Sequence, residues 1–120
     1  MAKALLFNIS GDKRKKLGFL CMQYGITAVE GTGEDQTRLL SQILAKGDQG
    51  LPNALDAPFA DEMLVLDGLS DQQFQGLVNG MQMLQATVTY KAITTEHNLS
   101  WTPARLLREL MAEHEAMQNR

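Results

Sequence analysis

The sequence predicts an α/β fold: a single domain over residues 1–120, with a four-stranded, mainly parallel sheet in the order 2-1-3-4 and helices on both faces. Three observations carry this. Apolar or β-branched runs alternate with helical segments four times along the chain. Two of these runs, Ala4-Leu5-Leu6-Phe7 and Met63-Leu64-Val65-Leu66, are unbroken, as in strands buried on both faces. The other two are short or carry polar groups, as edge strands do. The 120 residues are 44% hydrophobic and 21% charged, the balance of a folded domain long enough to bury its own core.

The elements follow in order. Ala2 to Ile9 reads as the first strand, closed by Ser10-Gly11. From Asp12 to Tyr24, Leu17, Leu20, Cys21 and Tyr24 form the stripe of an amphipathic helix, and Gly25 stops it. Ile26 to Val29 is a short strand. Glu34 to Lys46 reads as a second helix, with Leu39, Leu40, Ile43 and Leu44 on one side. Residues 47–61 carry two Pro and two Gly, and Leu51, Leu55 and Phe59 are expected to pin this irregular stretch to the core. Met63 to Leu66 is the third strand. Ser70 and Gln73 form a capping box for a helix with Phe74, Leu77, Val78, Met81 and Leu84 inward. Thr87 to Ile93, with Lys91, reads as the fourth strand. Thr102-Pro103 opens a last helix with Leu106, Leu107, Leu110, Met111 and Met117 inward. No internal repeat is legible beyond the strand–helix alternation. The expected core is Leu6, Phe7, Leu64, Leu66, Leu77, Val78 and Leu107.

Several functions are excluded by the same reading. Eleven basic against fourteen acidic residues give −3, the wrong sign for a general nucleic-acid binder. No apolar run approaches the ~20 residues of a membrane span. A lone Cys21 and the absence of a leader-like segment point to the cytoplasm. His97, His114 and Cys21 lack zinc spacing. Gly31-Thr32-Gly33 precedes a helix, but Glu30, Glu34 and Asp35 around it would repel a phosphate.

In an open sheet of this order, a ligand is expected at the carboxyl ends of the strands beside the switch between strands one and three. That places Asn8, Ser10 and Gly11 after the first strand and Asp67 and Gly68 after the third on one rim. Asp67-Gly68 reads equally as a turn organiser. Thr94, Thr95, Asn98 and Trp101, between the last strand and helix, are expected on that rim too. There Trp101 could stack on a planar ligand, or else staple back onto the helix it precedes. Lys13-Arg14-Lys15-Lys16 reads as a solvated face or an anionic-partner patch. Gly76 and Gly80 mark close packing on the sheet, or with Met83 a dimer face.

Lys91-Ala92-Ile93-Thr94-Thr95, Asn98, Trp101 and the helix Leu106-Leu107-Arg108-Glu109-Leu110 to Glu113-His114 resemble the C-terminal signature of a small prokaryotic family, the domain-of-unknown-function 3783 family. Glu62-Met63-Leu64-Val65-Leu66-Asp67-Gly68-Leu69-Ser70 resembles its acidic, apolar-strand, Gly, apolar, Ser segment. The resemblance runs from about residue 60 to 115 and is loose before that. It implies a domain and supplies no chemistry or cofactor. The function expected is therefore a non-catalytic small-ligand-binding or regulatory module. The alternatives are an enzyme with a sparse site at the strand ends and a homodimeric interaction subunit. The expected partners are a small-molecule ligand and a second copy of the chain, with no nucleic acid and no membrane.

Overall fold

A computed structural model describes residues 1–47, 52 and 55–118, which fall into two compact units. The element order is β1 (Lys3–Phe7), α1 (Gly11–Gln23), β2 (Thr27–Gly31), a 3-10 turn (Asp35–Thr37), α2 (Leu40–Ile43), β3 (Met63–Asp67), α3 (Asp71–Met83), β4 (Tyr90–Ile93), a second 3-10 turn (Asn98–Ser100) and α4 (Pro103–Gln118). The first unit is Met1–Glu30 with Asp61–Ile93; the second is Gly31–Ala60 with Thr94–Arg120.

The first unit holds the sheet. Its order is β2-β1-β3-β4, the order expected. β3 and β4 run parallel, with Leu66 opposite Ile93. The central pair departs from the expected direction: β1 and β3 are antiparallel, with Lys3 opposite Asp67 and Phe7 opposite Met63. The sheet is therefore mixed. A single right-handed crossover imposes parallel strands on its neighbours. The chain between β2 and β3 runs instead through a 3-10 turn, α2 and a long connection, so nothing forces β3 to point along β1.

Both central strands are closed to solvent on both faces, as their unbroken apolar runs require. Ala4 and Leu6 lie beside Leu66 and Leu64, and on this face they join one core cluster with Leu17, Leu20 and Cys21 of α1 and Leu77 and Met81 of α3. Leu5, Phe7, Met63 and Val65 form the opposite face and are fully buried. Each such side chain contributes roughly 1.5–3 kcal/mol relative to exposure. Val78, expected in the core, is half-buried.

The two helices of this unit touch through glycine. A Cβ on Gly76 would lie 2.4 Å from Tyr24 Cε1, and one on Gly80 would lie 2.5 Å from Leu20 Cδ2. The close approach inferred for these glycines is thus made to α1, rather than to the sheet or to a second chain. Gln73 locks the same junction. Its Oε1 accepts the Ser70 N–H of the capping box, and its Nε2 donates to the Tyr24 carbonyl at 3.0 Å. The basic run faces carboxylates of the same unit: Lys13 to Glu62 at 2.7 Å, Arg14 to Glu30 at 3.8 Å, Lys16 to Asp12 at 3.0 Å.

A repeat, not legible in the sequence, organises this unit. Residues sixty positions apart play the same part. Asn8 and Gly68 take positive φ after β1 and β3, Ser10 and Ser70 occupy the N-cap positions, and α1 and α3 have 13 residues each. Gly25 and Gln85 take positive φ where the helices stop, with Ile26 N–H on Cys21 O and Ala86 N–H on Met81 O, both 2.8 Å. Leu5 faces Val65 across the sheet and Leu20 faces Gly80 between the helices, so each of these positions meets its own counterpart. That is the mark of a two-fold axis between the halves. Between residues 1–31 and 61–91 only Leu6, Ser10, Leu17 and Thr27 are identical to their counterparts, too few to see by eye.

In the second unit the helix expected over Glu34 to Lys46 is broken. Thr32 Oγ1 accepts the Asp35 N–H at 3.2 Å and Asp35 Oδ2 accepts the Thr32 N–H at 3.0 Å. Such side-chain bonds offer the backbone an alternative to the helical ladder. Arg38 and Leu39 are extended, and the helix restarts at Leu40. Of the three residues expected to pin the 47–61 stretch, Leu51 lies outside the described residues and Leu55 is 86% exposed. Phe59 is half-buried, its N–H bonded to Gln36 Oε1 at 2.8 Å. In α4, Ala104, Leu106 and Leu107 are buried, but the helix is exposed from Ala112 onward and Met117 does not face inward. No helix among the described residues is long and apolar enough to cross a membrane.

Candidate functional site

The single rim expected for Asn8, Ser10 and Asp67 does not exist. Because β1 and β3 are antiparallel, the residue after Phe7 and the residue opposite Lys3 lie at opposite ends of the central strands. Asn8 donates from Nδ2 to the Asp61 carbonyl at 3.0 Å. Ser10 stands at the N-cap position of α1 without a side-chain cap bond. Asp67 closes β3 and is buried.

Thr94, Thr95, Asn98 and Trp101 belong to the second unit. Thr95 and Asn98 close a ring on the backbone: the Thr95 N–H donates to Asn98 Oδ1 at 2.8 Å and the Asn98 N–H to Thr95 Oγ1 at 3.2 Å. Asn98 is buried and the ring shapes the turn. Thr94 is half-buried at its start. Trp101 is half-buried, and its carbonyl accepts the Leu40 N–H at 2.9 Å. The Arg105 guanidinium lies over the indole, 4.2 Å from the ring centroid, so that face meets an arginine where a planar ligand was expected.

Trp101 nonetheless borders a cleft of about 140 Å³, wholly within the second unit, with Ser100, Thr102, Arg105, Arg108, Leu39 and Asp56. Thr102 caps α4, its Oγ1 accepting the Arg105 N–H at 3.1 Å while its hydroxyl donates to Asp56 Oδ2 at 2.5 Å. Arg108 Nη1 lies 2.8 Å from Asp56 Oδ1, and the Asp56 side chain is 2% exposed. The Thr102 hydroxyl, and after it Arg108, hold the Asp56 carboxyl below the usual carboxylate range against the opposing effect of burial.

This geometry can hold an anion. A guanidinium lying over an aromatic face keeps its N–H donors in its own plane, where they can meet a ligand at its edge. Arg108 engages Asp56 through one of its nitrogens, and a guanidinium carries five N–H groups. Two cations against one carboxylate leave the cleft positive. Its lining is mainly polar: hydroxyl, guanidinium and indole. Of the residues bordering the cleft, Trp101 stands out in the sequence, whereas Arg105, Arg108 and Asp56 were not among the expected site residues. Arg105 and Arg108, three apart and facing away from Leu106 and Leu107, are a helical-spacing signal that could have been read. Asp56 could not, since nothing local ties it to residues nearly fifty positions on.

Beside β4 and α3 in the first unit lie a mainly apolar hollow, with Lys91 and Ala92 on its border, and a mixed one that Asp71 and Gln75 also border. Both are bordered by Leu66, Phe74 and Ile93. Cys21 is buried in the core cluster of this unit, and burial pushes its thiol above the usual value.

Residues 62–117 match the model of a family described as a domain of unknown function, DUF3783. No curated protein and no solved structure matches the chain.

Proposed function

We propose that this chain, whose residues 62–117 belong to the domain-of-unknown-function 3783 family, is a non-catalytic binding module for a small oxyanion, a carboxylate or phosphate compound, held in the Trp101 cleft. One observation supports the reading above the others: Arg105 and Arg108 border one cleft in which each is braced, Arg105 on the Trp101 ring and Arg108 on the buried Asp56. Braced guanidiniums lose little freedom on binding, which favours affinity. Charge-assisted hydrogen bonds to an oxyanion are about twice as strong as neutral ones.

A binding role suits the groups present. The carboxylate of the cleft is already held in an ion pair and a hydrogen bond, so it is poorly placed to move a proton.

The test is a thermal-shift titration of the full chain with pyrophosphate, inorganic phosphate, citrate and benzoate. A ligand at 100 times its Kd adds about 2.7 kcal/mol to stability. Arg105→Gln should abolish the shift without lowering the unliganded Tm by more than a few degrees. A panel without a shift, or a shift that survives Arg105→Gln and Arg108→Gln together, overturns the reading.

A further inference from the structure

The structural repeat continues into the second unit, with an offset of sixty-three positions. Thr32 and Asp35 form the same backbone ring as Thr95 and Asn98. Thr37 Oγ1 donates to Glu34 O as Ser100 Oγ donates to His97 O, and the Arg38 N–H reaches Asp35 O as the Trp101 N–H reaches Asn98 O. α2 then opens at Leu40 as α4 opens at Pro103. The packing is reciprocal: α2 lies on the second 3-10 turn and α4 on the first. Leu39 and its counterpart Thr102 line one cleft, as positions beside a two-fold axis must.

The counterparts of Trp101, Arg105 and Arg108 are Arg38, Gln42 and Ala45. These three residues line a cleft of their own, with Gly47. The two clefts thus share three equivalent positions, held in one half by an indole and two arginines and in the other by Arg38, Gln42 and Ala45. Ala45 also has φ +59, because α2 stops where α4 runs on, so no helical side chain can project there as Arg108 does. The family match begins at Glu62, immediately before β3, and ends within α4, so it covers the second half alone.

We infer that the chain is a tandem pair of one β-α-β-turn-helix unit, that residues 1–47 are a diverged copy of the unit in residues 62–117, and that the Arg38 cleft is a silenced counterpart of the Trp101 cleft. The part of this concerning ligand rests on the proposed anion site; the part concerning geometry does not.

The geometric part is tested on the full chain by moving the indole. In a Trp101→Phe background, Arg38→Trp with Gln42→Arg leaves one indole, in the first cleft. The expected result is an emission maximum and an acrylamide quenching constant matching those of the natural chain, from a half-buried ring stacked under an arginine. Emission and quenching typical of a fully exposed indole overturn the inference. Arg38 is exposed and Gln42 half-buried, so the fold should survive; if the circular dichroism spectrum is lost, Arg38→Trp alone in the same background is compared with Arg105→Gln in the natural chain, whose indole likewise lies beside a glutamine. The ligand part is tested by pyrophosphate titration calorimetry. Adding Arg38→Trp and Gln42→Arg to the natural chain, which restores the indole and the arginine above it but not the counterpart of Arg108, should add a second, weaker site to the first. One site in both chains overturns the silenced-site inference, whereas no binding by the natural chain overturns the proposed function and leaves the fluorescence comparison to decide the duplication.

Discussion

Leu20 fills the space that a side chain at Gly80 would occupy: a Cβ on Gly80 would stand 2.5 Å from Leu20 Cδ2 and 3.3 Å from its Cδ1. These residues are counterparts in the two halves, so a large residue from one half fits the hollow left by the smallest in the other. Identical halves would have placed Leu against Leu or left a void on the axis, and the divergence of the copies is part of what closes this core.

Gly80→Ala is expected to destabilise the protein. Helix propensity favours alanine by about 1 kcal/mol. Overpacking against buried Leu20 opposes it with roughly 1–3 kcal/mol. Urea unfolding should give a net loss of up to about 2 kcal/mol, and Leu20→Ala in the same chain should relieve part of it. Gains from the single substitution would mean that α1 and α3 are further apart than described.

Gln85→Gly is expected to stabilise. Gln85 holds φ +56 at the end of α3, where its counterpart is Gly25. A left-handed conformation costs a non-glycine residue roughly 1–2 kcal/mol, and glycine loses roughly 0.5–1 kcal/mol of that advantage through chain entropy. A gain of about 0.5–1 kcal/mol in urea unfolding is the expected outcome.

Asn98→Asp should cost less stability than Asn98→Ala. Aspartate makes this ring at Asp35, one oxygen accepting a backbone N–H while the other is paired with Arg38, and at position 98 it would keep the first contact without the second. Alanine removes that acceptor and should cost about 0.5–2 kcal/mol, the range for a lost helix cap. Equal losses in both variants would show that the Asn98 amide nitrogen matters more than the ring.

Asp56 should make stability fall in acid. Its folded carboxyl is held below the unfolded value of about 3.9, chiefly by the Thr102 hydroxyl and next by Arg108. Its contribution is therefore complete above that unfolded value and is lost as pH falls through the depressed folded value. Urea unfolding of the natural chain and of Asp56→Asn should diverge above pH 5 and converge toward pH 2. A constant gap between them would show that Asp56 keeps its charge state throughout, or that it is not held by these partners.

Much of this protein was determined by local sequence. The unbroken runs around Leu6 and Leu64 can only be central strands, because both of their faces must leave water, and this places β2 and β4 at the edges. The Ser70–Gln73 box and the Thr102-Pro103 pair set helix starts through bonds spanning three residues. The direction of β1 against β3 was left to the tertiary structure, since apolar alternation is the same for a strand read in either sense. So was the break at Arg38, where the Thr32–Asp35 ring outweighs an apolar spacing that suits a helix. The two-fold repeat survives as backbone geometry, positive φ at Asn8 and Gly68 or at Gly25 and Gln85, which several residue types can adopt. The cleft was half legible: Trp101 stands out in any reading, but its meaning depends on Arg105 above it and on Asp56, which reaches Thr102 and Arg108 only once the chain has folded.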